Sequence, residues 1–133
     1  MPPTVITTEA VVGPYTATPV AANFLDIAFT AADVANGNSF VVDANGDILI
    51  VWNTDTASHN FTLTSQTDSP YLRVGDITTY AVGAGVVSMY NLQPNVDGAP
   101  SIATSLVPGW TDFFNTVYFS ADNALVKFAI IQR

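Results

Sequence analysis

The sequence predicts an all-β fold: a single antiparallel β-sandwich or jelly-roll-like barrel of seven to nine short strands, with an extended N-terminal arm. Three observations lead to this prediction. Apolar and polar residues alternate over short segments, turn-forming residues recur about every 8–12 residues, and no segment has the periodicity of an amphipathic helix. At 133 residues the chain is long enough for one domain, which we divide into a proline-rich arm (1–24) and a β-sandwich domain (25–133).

The N-terminal arm carries four prolines, Pro2, Pro3, Pro14 and Pro19. Proline has no N–H to donate, so any edge strand between Val5 and Val12 should be short. Such an arm packs on its own or a neighbouring subunit, or it stays partly disordered, and the sequence leaves both possibilities open. After it, residues 24–30 alternate and are predicted to form a strand, and residues 31–37 a loop.

The stretch from Asn38 to Ser65 is predicted to form three consecutive antiparallel strands. Asn45-Gly46 favours a two-residue hairpin turn, because both central positions of that turn need positive φ. The hairpin would create two apolar faces: Phe40, Val42, Leu49 and Val51 on one, and Val41, Ile48, Ile50 and Trp52 on the other. Residues 53–58 supply turn chemistry, and the returning strand is predicted to point Phe61 and Leu63 inward.

Two further hairpins are predicted downstream. The first joins Ile77–Val82 to Val86–Leu92 through a glycine-containing turn, and the second joins Thr116–Ala121 to Ala124–Ile131. Between these hairpins, Gln93–Asn115 is the longest connection. A loop of that length in a compact domain is usually functional or disordered.

Charge and composition exclude several classes of partner. Eleven acidic residues against three basic ones give a formal charge of −8, so the protein should repel nucleic acid and anionic membranes. No apolar run approaches the roughly 18 residues of a membrane span, and the first residues lack the features of a signal peptide, so we expect synthesis in the cytoplasm. Only 11% of residues are charged, against about 25% in an average soluble domain. This suits either a protein covered by neighbours in an assembly or a weakly charged monomer.

No set of residues indicates catalysis, so we predict a non-enzymatic protein without metal or cofactor. His59 is the single histidine and there is no cysteine, which rules out a thiolate or multi-histidine metal site. Asp43 to Asp47 resembles the start of a calcium loop, but its glycine is at the wrong offset and no bidentate glutamate follows. Asp55 and Ser58 share a turn beside His59, where we expect them to cap backbone groups.

Three aromatic residues, Trp110, Phe113 and Phe114, lie close together in the long connection. They can plug one end of the sandwich, anchor the protein in a partner, or form a platform for a sugar ligand. The sequence leaves these three interpretations open.

The layout of strands and turns resembles a known family. The stretches that carry it, between Asn38 and the C-terminal strand, are NSFVVDANGDILIVWNTDTASHNFTLTS, DITTYAVGAGVVSMYNLQPN and TVYFSADNALVKFAIIQR. They are similar to the small β-sandwich accessory proteins of tailed-phage virions. The resemblance implies a capsid decoration (cement) protein that binds the outside of the head and holds the major capsid subunits together at their junctions. Such a protein would be a dimer or trimer on the outer surface of the virion.

The resemblance carries no shared ligand residues, so contact residues are predicted from the apolar arm and the aromatic loop. They are Val5, Ile6, Val11, Val12, Tyr15, Trp110, Phe113 and Phe114. Two alternatives stay open: a carbohydrate-binding or adhesin/fibre domain that uses the loop aromatics as its platform, and another head or tail accessory protein.

Overall fold

The predicted fold class is confirmed: two five-stranded sheets pack face to face as a β-sandwich. The computed structural model describes residues 1–10, 27–43, 46–64, 76–92 and 116–132. The strands in these ranges are β1 (Thr4–Val5), β2 (Glu9–Ala10), β3 (Thr30–Ala31), β4 (Asn38–Val41), β5 (Asp47–Asn53), β6 (His59–Thr64), β7 (Ile77–Val82), β8 (Val87–Leu92), β9 (Thr116–Ala121) and β10 (Val126–Gln132). The described ranges contain no helix that could cross a membrane.

Each sheet has a short strand from the N-terminal arm at one edge, β1 in sheet A and β2 in sheet B. Sheet A has the order β1-β4-β9-β6-β7, and sheet B has the order β2-β10-β5-β8. Strand β3 also pairs with β10, so β2 and β3 share one edge of that strand. The β1–β4 and β2–β10 pairs are parallel, and the remaining pairs between described strands are antiparallel.

The core lies between the sheets, and the predicted inward positions are confirmed. The buried residues include Phe40, Val42, Leu49, Val51, Phe61 and Leu63. Three phenylalanine rings join the sheets at the centre of the core. Phe128 of sheet B has its ring centroid 4.8 Å from Phe119 and 5.9 Å from Phe61, both of sheet A. These contacts add aromatic packing to the burial of apolar area.

The predicted hairpin at Asn45-Gly46 is wrong, because β4 and β5 belong to different sheets. Phe40 pairs with Val117 instead of with a β5 residue. Gly46 has the positive φ that the prediction required, 85°, and its N–H donates to the Asp43 carbonyl at 2.9 Å. The alternation of apolar and polar residues predicts which side chains face the core. A strand shows the same alternation whether it pairs with the preceding strand or lies in the opposite sheet, so the pattern does not identify its pairing partner.

The other predicted hairpins are wrong for the same reason. The connections β5–β6, β7–β8 and β9–β10 each cross between the sheets. Among the described strands, β6 and β7 are the pair that is adjacent in the chain and also hydrogen-bonded. The three consecutive paired strands predicted from Asn38 to Ser65 therefore do not form.

The strand predicted over residues 24–30 is shorter and displaced. Thr30–Ala31 form β3, whereas residues 27–29 precede it without strand structure and residues 24–26 lie outside the described residues. β3 pairs only with Lys127 and Phe128, because β2 occupies the same edge of β10 at Ile131 and Gln132. The predicted loop at 31–37 is confirmed beyond Ala31, with a turn at residues 34–36.

Residues 1–10 of the predicted arm pack on their own chain. β1 adds to the edge of sheet A, where the Thr4 N–H donates to the Gly37 carbonyl at 3.0 Å and the Ile6 N–H donates to the Ser39 carbonyl at 2.8 Å. The Thr4 hydroxyl also donates to Asp33 at 2.7 Å. This bond, with those from Asn36 and Ala35, lowers the pKa of Asp33. Residues 11–24 of the arm lie outside the described residues.

Candidate functional site

Three sheet-crossing connections meet at one end of the sandwich. We call residues 53–59, 83–86 and 122–125 the turn end. Asn53 is its buried centre, and its side-chain amide nitrogen lies 2.7 Å from the Ala57 carbonyl, 2.9 Å from that of Val82 and 3.1 Å from that of Gly83. Its side-chain oxygen accepts the Asp55 N–H at 2.9 Å. One side chain therefore ties the β5–β6 turn to the end of β7.

Thr54 joins the same turn to the β9–β10 connection. Its backbone N–H donates to the Leu125 carbonyl at 3.0 Å, and its hydroxyl donates to the same oxygen at 2.7 Å. Together with Asn53, this contact makes the turn end one connected hydrogen-bond network.

His59 lies between two carboxylates at the turn end. Its Nε2 is 2.7 Å from Asp55 Oδ2 and its Nδ1 is 3.2 Å from Asp122 Oδ1. Both ring nitrogens donate hydrogen bonds only when the imidazole is protonated. The hydrogen bond to Asp55, followed by the charge of Asp122, raises the pKa of His59 against the opposing effect of desolvation. The hydrogen bond from His59 lowers the pKa of Asp55.

This cluster is built to hold the turns together. A general base needs an imidazole nitrogen free to accept a proton, and here each nitrogen is held by a carboxylate. The Ser58 hydroxyl donates to the Val82 carbonyl at 3.3 Å, so Ser58, His59 and Asp55 do not form the relay of a catalytic triad. Asp122 also accepts the Asn60 N–H at 3.0 Å, which fixes the β9–β10 connection against β6.

We expect the His59 cluster to stabilise the fold most strongly in mildly acidic solution. Since the pKa of His59 is raised from 6.5, its contribution is complete below pH 6.5 and is lost as the pH rises through the folded-state pKa. Since the pKa of Asp55 is lowered from 3.8, its contribution is present above pH 3.8 and is lost as the pH falls through the folded-state value. The difference in melting temperature between the wild type and His59→Gln should be largest between these limits and shrink in alkaline buffer. A difference that stays constant from acidic to alkaline pH would contradict the pairing.

Metal binding finds no support within the described ranges, where no group of three or more His, Asp or Glu side chains is placed to hold an ion. The stretch that resembles a calcium loop is occupied by its own contacts. Asp47 accepts the Asp43 N–H at 2.9 Å, which closes the β4–β5 connection.

Charge in the described residues is concentrated away from the two outer faces. The seven acidic side chains of the described residues lie in connections or at strand starts: Glu9, Asp33, Asp43, Asp47, Asp55, Asp76 and Asp122. Outward positions of sheet A, by contrast, carry Ser, Thr, Asn, Tyr and Val. On sheet B the outward side chains are mainly apolar, with Lys127 on β10 as a charged exception. The sandwich is therefore acidic around its ends and nearly neutral across its faces.

The outer face of sheet A carries two exposed apolar side chains near its N-terminal edge. Val5 is 71% exposed and Val41 is 57% exposed. Val5 pairs with Ser39, and Val41 lies two residues further along the same strand, so the two valines are diagonal neighbours on one face. We call Val5 and Val41 the valine patch.

The predicted contact residues fall into three groups. Val5 is exposed in the valine patch, while Ile6 is only 5% exposed and belongs to the core. The remaining six lie outside the described residues: Val11, Val12, Tyr15, Trp110, Phe113 and Phe114. Sequence reasoning missed Val41, because its exposure depends on which strands neighbour β4.

A second apolar surface lies along β7 and β8, which are the last described strands of their sheets. The segment from Ile77 to Leu92 contains no Asp, Glu, Lys, Arg or His. Its exposed apolar side chains are Tyr80, Val86, Val87 and Met89. Neutral, apolar surfaces of this kind suit protein contacts.

No protein-family model, no curated protein and no solved structure matches this chain.

Proposed function

We propose that the chain is a non-enzymatic structural protein of a tailed-phage virion. It binds the outer surface of the head, on the major capsid protein, and stabilises the contacts between capsid subunits. The observation that supports this role best is the nearly neutral outer face of sheet A with its exposed valine patch. The resemblance of residues 38–132 to the virion accessory proteins points to the same role.

The distribution of charge favours contact through the face rather than the ends. Docking through the ends would bury several carboxylates, and an unpaired charge is costly to remove from water. The face of sheet A presents Thr, Ser and Val side chains, which cost far less to remove from water than carboxylates do. Val5 and Val41 supply the apolar centre that an interface needs, and the surrounding hydroxyls supply its polar rim.

The mechanism of stabilisation is mass action. A protein that binds the assembled lattice and not the free subunits stabilises the lattice by an amount set by its concentration relative to its dissociation constant. No catalytic group, cofactor or nucleic acid takes part. Self-association into a symmetric oligomer increases the effect, since sites on a head are themselves symmetric.

Co-sedimentation with expanded, empty heads of the phage that carries the gene tests this function. We expect saturable binding, with added density at fixed lattice positions in electron micrographs. Deleting the arm is a poor test, because it would also remove Ile6 from the core. Val41→Asp is sharper: it places a charge in the valine patch and should weaken binding at least tenfold.

Leu125→Asp is the matched control. Leu125 is 46% exposed in the β9–β10 connection, so the same charge is added at a similarly exposed site outside the valine patch. Equal loss of binding by both variants would reject the valine patch as the contact. Absence of wild-type binding to every form of the head would reject the proposed function, and a glycan array would then test a carbohydrate-binding or adhesin role.

A further inference from the structure

We propose that two copies of this chain associate by pairing their β8 strands antiparallel about a two-fold axis at Met89. The two B sheets then join into one continuous sheet. The proposal names a self-association surface that the proposed function leaves open. It concerns the purified protein alone, so it stands or falls independently of capsid binding.

The outer edge of β8 is regular. β8 pairs with β5 without interruption from Asp47 opposite Leu92 to Trp52 opposite Val87. No described strand pairs with its other side. The Asn53 N–H donates to the Val86 carbonyl, so this carbonyl and the backbone groups of every second residue after Val86 are directed to β5. By the same alternation, the N–H and C=O groups of Val87, Met89 and Asn91 point outward, where a further strand would pair.

The other sheet edges are less suited to strand addition. β1, β2 and β3 are each two residues long. β7 is interrupted by a register shift opposite Phe61 and Leu63, and its Thr79 has a φ of 52°. Bulges, short strands, proline and charged residues are the usual means of protecting an edge. β8 has none of them.

The distribution of charge favours a second copy of this chain as the partner that pairs with the outer edge of β8. Each copy carries a net charge of −8, so two copies repel unless they meet where charge is absent. The β7–β8 segment provides such a region, since it has no charged residue between Ile77 and Leu92. Met89 is 71% exposed and Val87 is 52% exposed, so pairing would also remove apolar area from water.

Strand β8 can pair antiparallel with the β8 strand of a second copy when the two-fold axis lies at Met89. Residues that lie directly opposite each other in an antiparallel pair point to the same face of the sheet. A two-fold axis perpendicular to the sheet meets this condition only if one residue lies opposite its own counterpart, so the axis falls at a residue position and not between two residues. With the axis at Met89, all residues from 86 to 92 are paired. Met89 then faces its counterpart, and Val87 faces Asn91. An axis at Tyr90 would shorten the overlap.

A single-cysteine variant tests this geometry directly. The chain has no cysteine, so Met89→Cys introduces one thiol, and the two copies would hold these residues at a Cα separation of about 5.5 Å. That separation lies within the range a disulfide spans. We expect Met89→Cys to convert to a disulfide-linked dimer under mild oxidation at micromolar protein. Val41→Cys, a similarly exposed position on the other sheet, should convert at least tenfold more slowly.

Sedimentation velocity of the cysteine-free protein provides the second measurement. Wild type should shift from monomer to dimer as its concentration rises through the micromolar range, and Met89→Lys should remain monomeric, because two like charges would face each other across the axis. A wild type that stays monomeric throughout, or equal cross-linking of the two cysteine variants, would overturn the proposal. A dimer that fails to bind heads would refute only the proposed function, and a monomer that binds them would refute only the dimer.

Discussion

Replacing Asn53 with alanine should lower the free energy of unfolding by about 1–3 kcal/mol, because this fully buried side chain supplies hydrogen bonds between the β5–β6 turn and the end of β7. Each buried group left without a hydrogen bond costs about 1–3 kcal/mol. The variant removes the donor that serves the Ala57, Val82 and Gly83 carbonyls. It also removes the acceptor for the Asp55 N–H. The turn end would lose the contact that joins the β5–β6 turn to β7.

Urea unfolding followed by circular dichroism measures this loss. Asn60→Ala is the control, since Asn60 is an exposed asparagine on the neighbouring strand β6 and should change stability by less than about 0.5 kcal/mol. If Asn53→Ala were as mild as Asn60→Ala, the Asn53 network would not stabilise the fold.

Phe128→Ala should destabilise the sandwich by about 3–5 kcal/mol, the usual cost of removing a buried phenylalanine. Phe128 is fully buried on β10, and its ring meets those of Phe119 and Phe61 across the two sheets. Truncation would leave a cavity where the sheets contact each other, and a close-packed core closes such a cavity only in part.

The same urea titration measures this effect against two further variants. Leu125→Ala removes a partly exposed apolar side chain just before β10 and should cost less than about 1 kcal/mol. Phe128→Leu keeps much of the buried volume and should fall between the other two. A small cost for Phe128→Ala would mean that the ring cluster does not hold the sheets together.

The sequence predicted the buried faces of this fold but not the strand partners. Phe40, Leu49, Phe61 and Leu63 are inward as the alternation indicated. Alternation has the same form in a hairpin and in a connection that crosses the sandwich, because in both cases every second side chain points to the core. The asparagine-glycine signal was equally ambiguous. Gly46 adopts positive φ, yet the strands before and after it, β4 and β5, belong to different sheets.

The candidate sites depend on which strands pair with each other, so the sequence predicted these sites only in part. Asp55 lies four residues before His59, so a local pair was within reach of sequence reasoning. Asp122 is brought to the same imidazole only because β9 pairs with β6. The β8 edge that no described strand pairs with likewise follows from strand order, since the predicted hairpin would have placed β7 beside it.

The crossing connections also determine when the chain can fold. Asn38 pairs with Phe119, and Asn53 pairs with Val126, so the β4–β9 and β5–β10 ladders join residues roughly 75–85 positions apart. A topology dominated by such distant contacts has a high contact order and folds in milliseconds to seconds rather than microseconds. β9 is the middle strand of one sheet, and β10 has neighbours on both sides in the other. During synthesis on the ribosome neither sheet can close until these two strands emerge, so the nascent chain must keep its unpaired strands soluble until then.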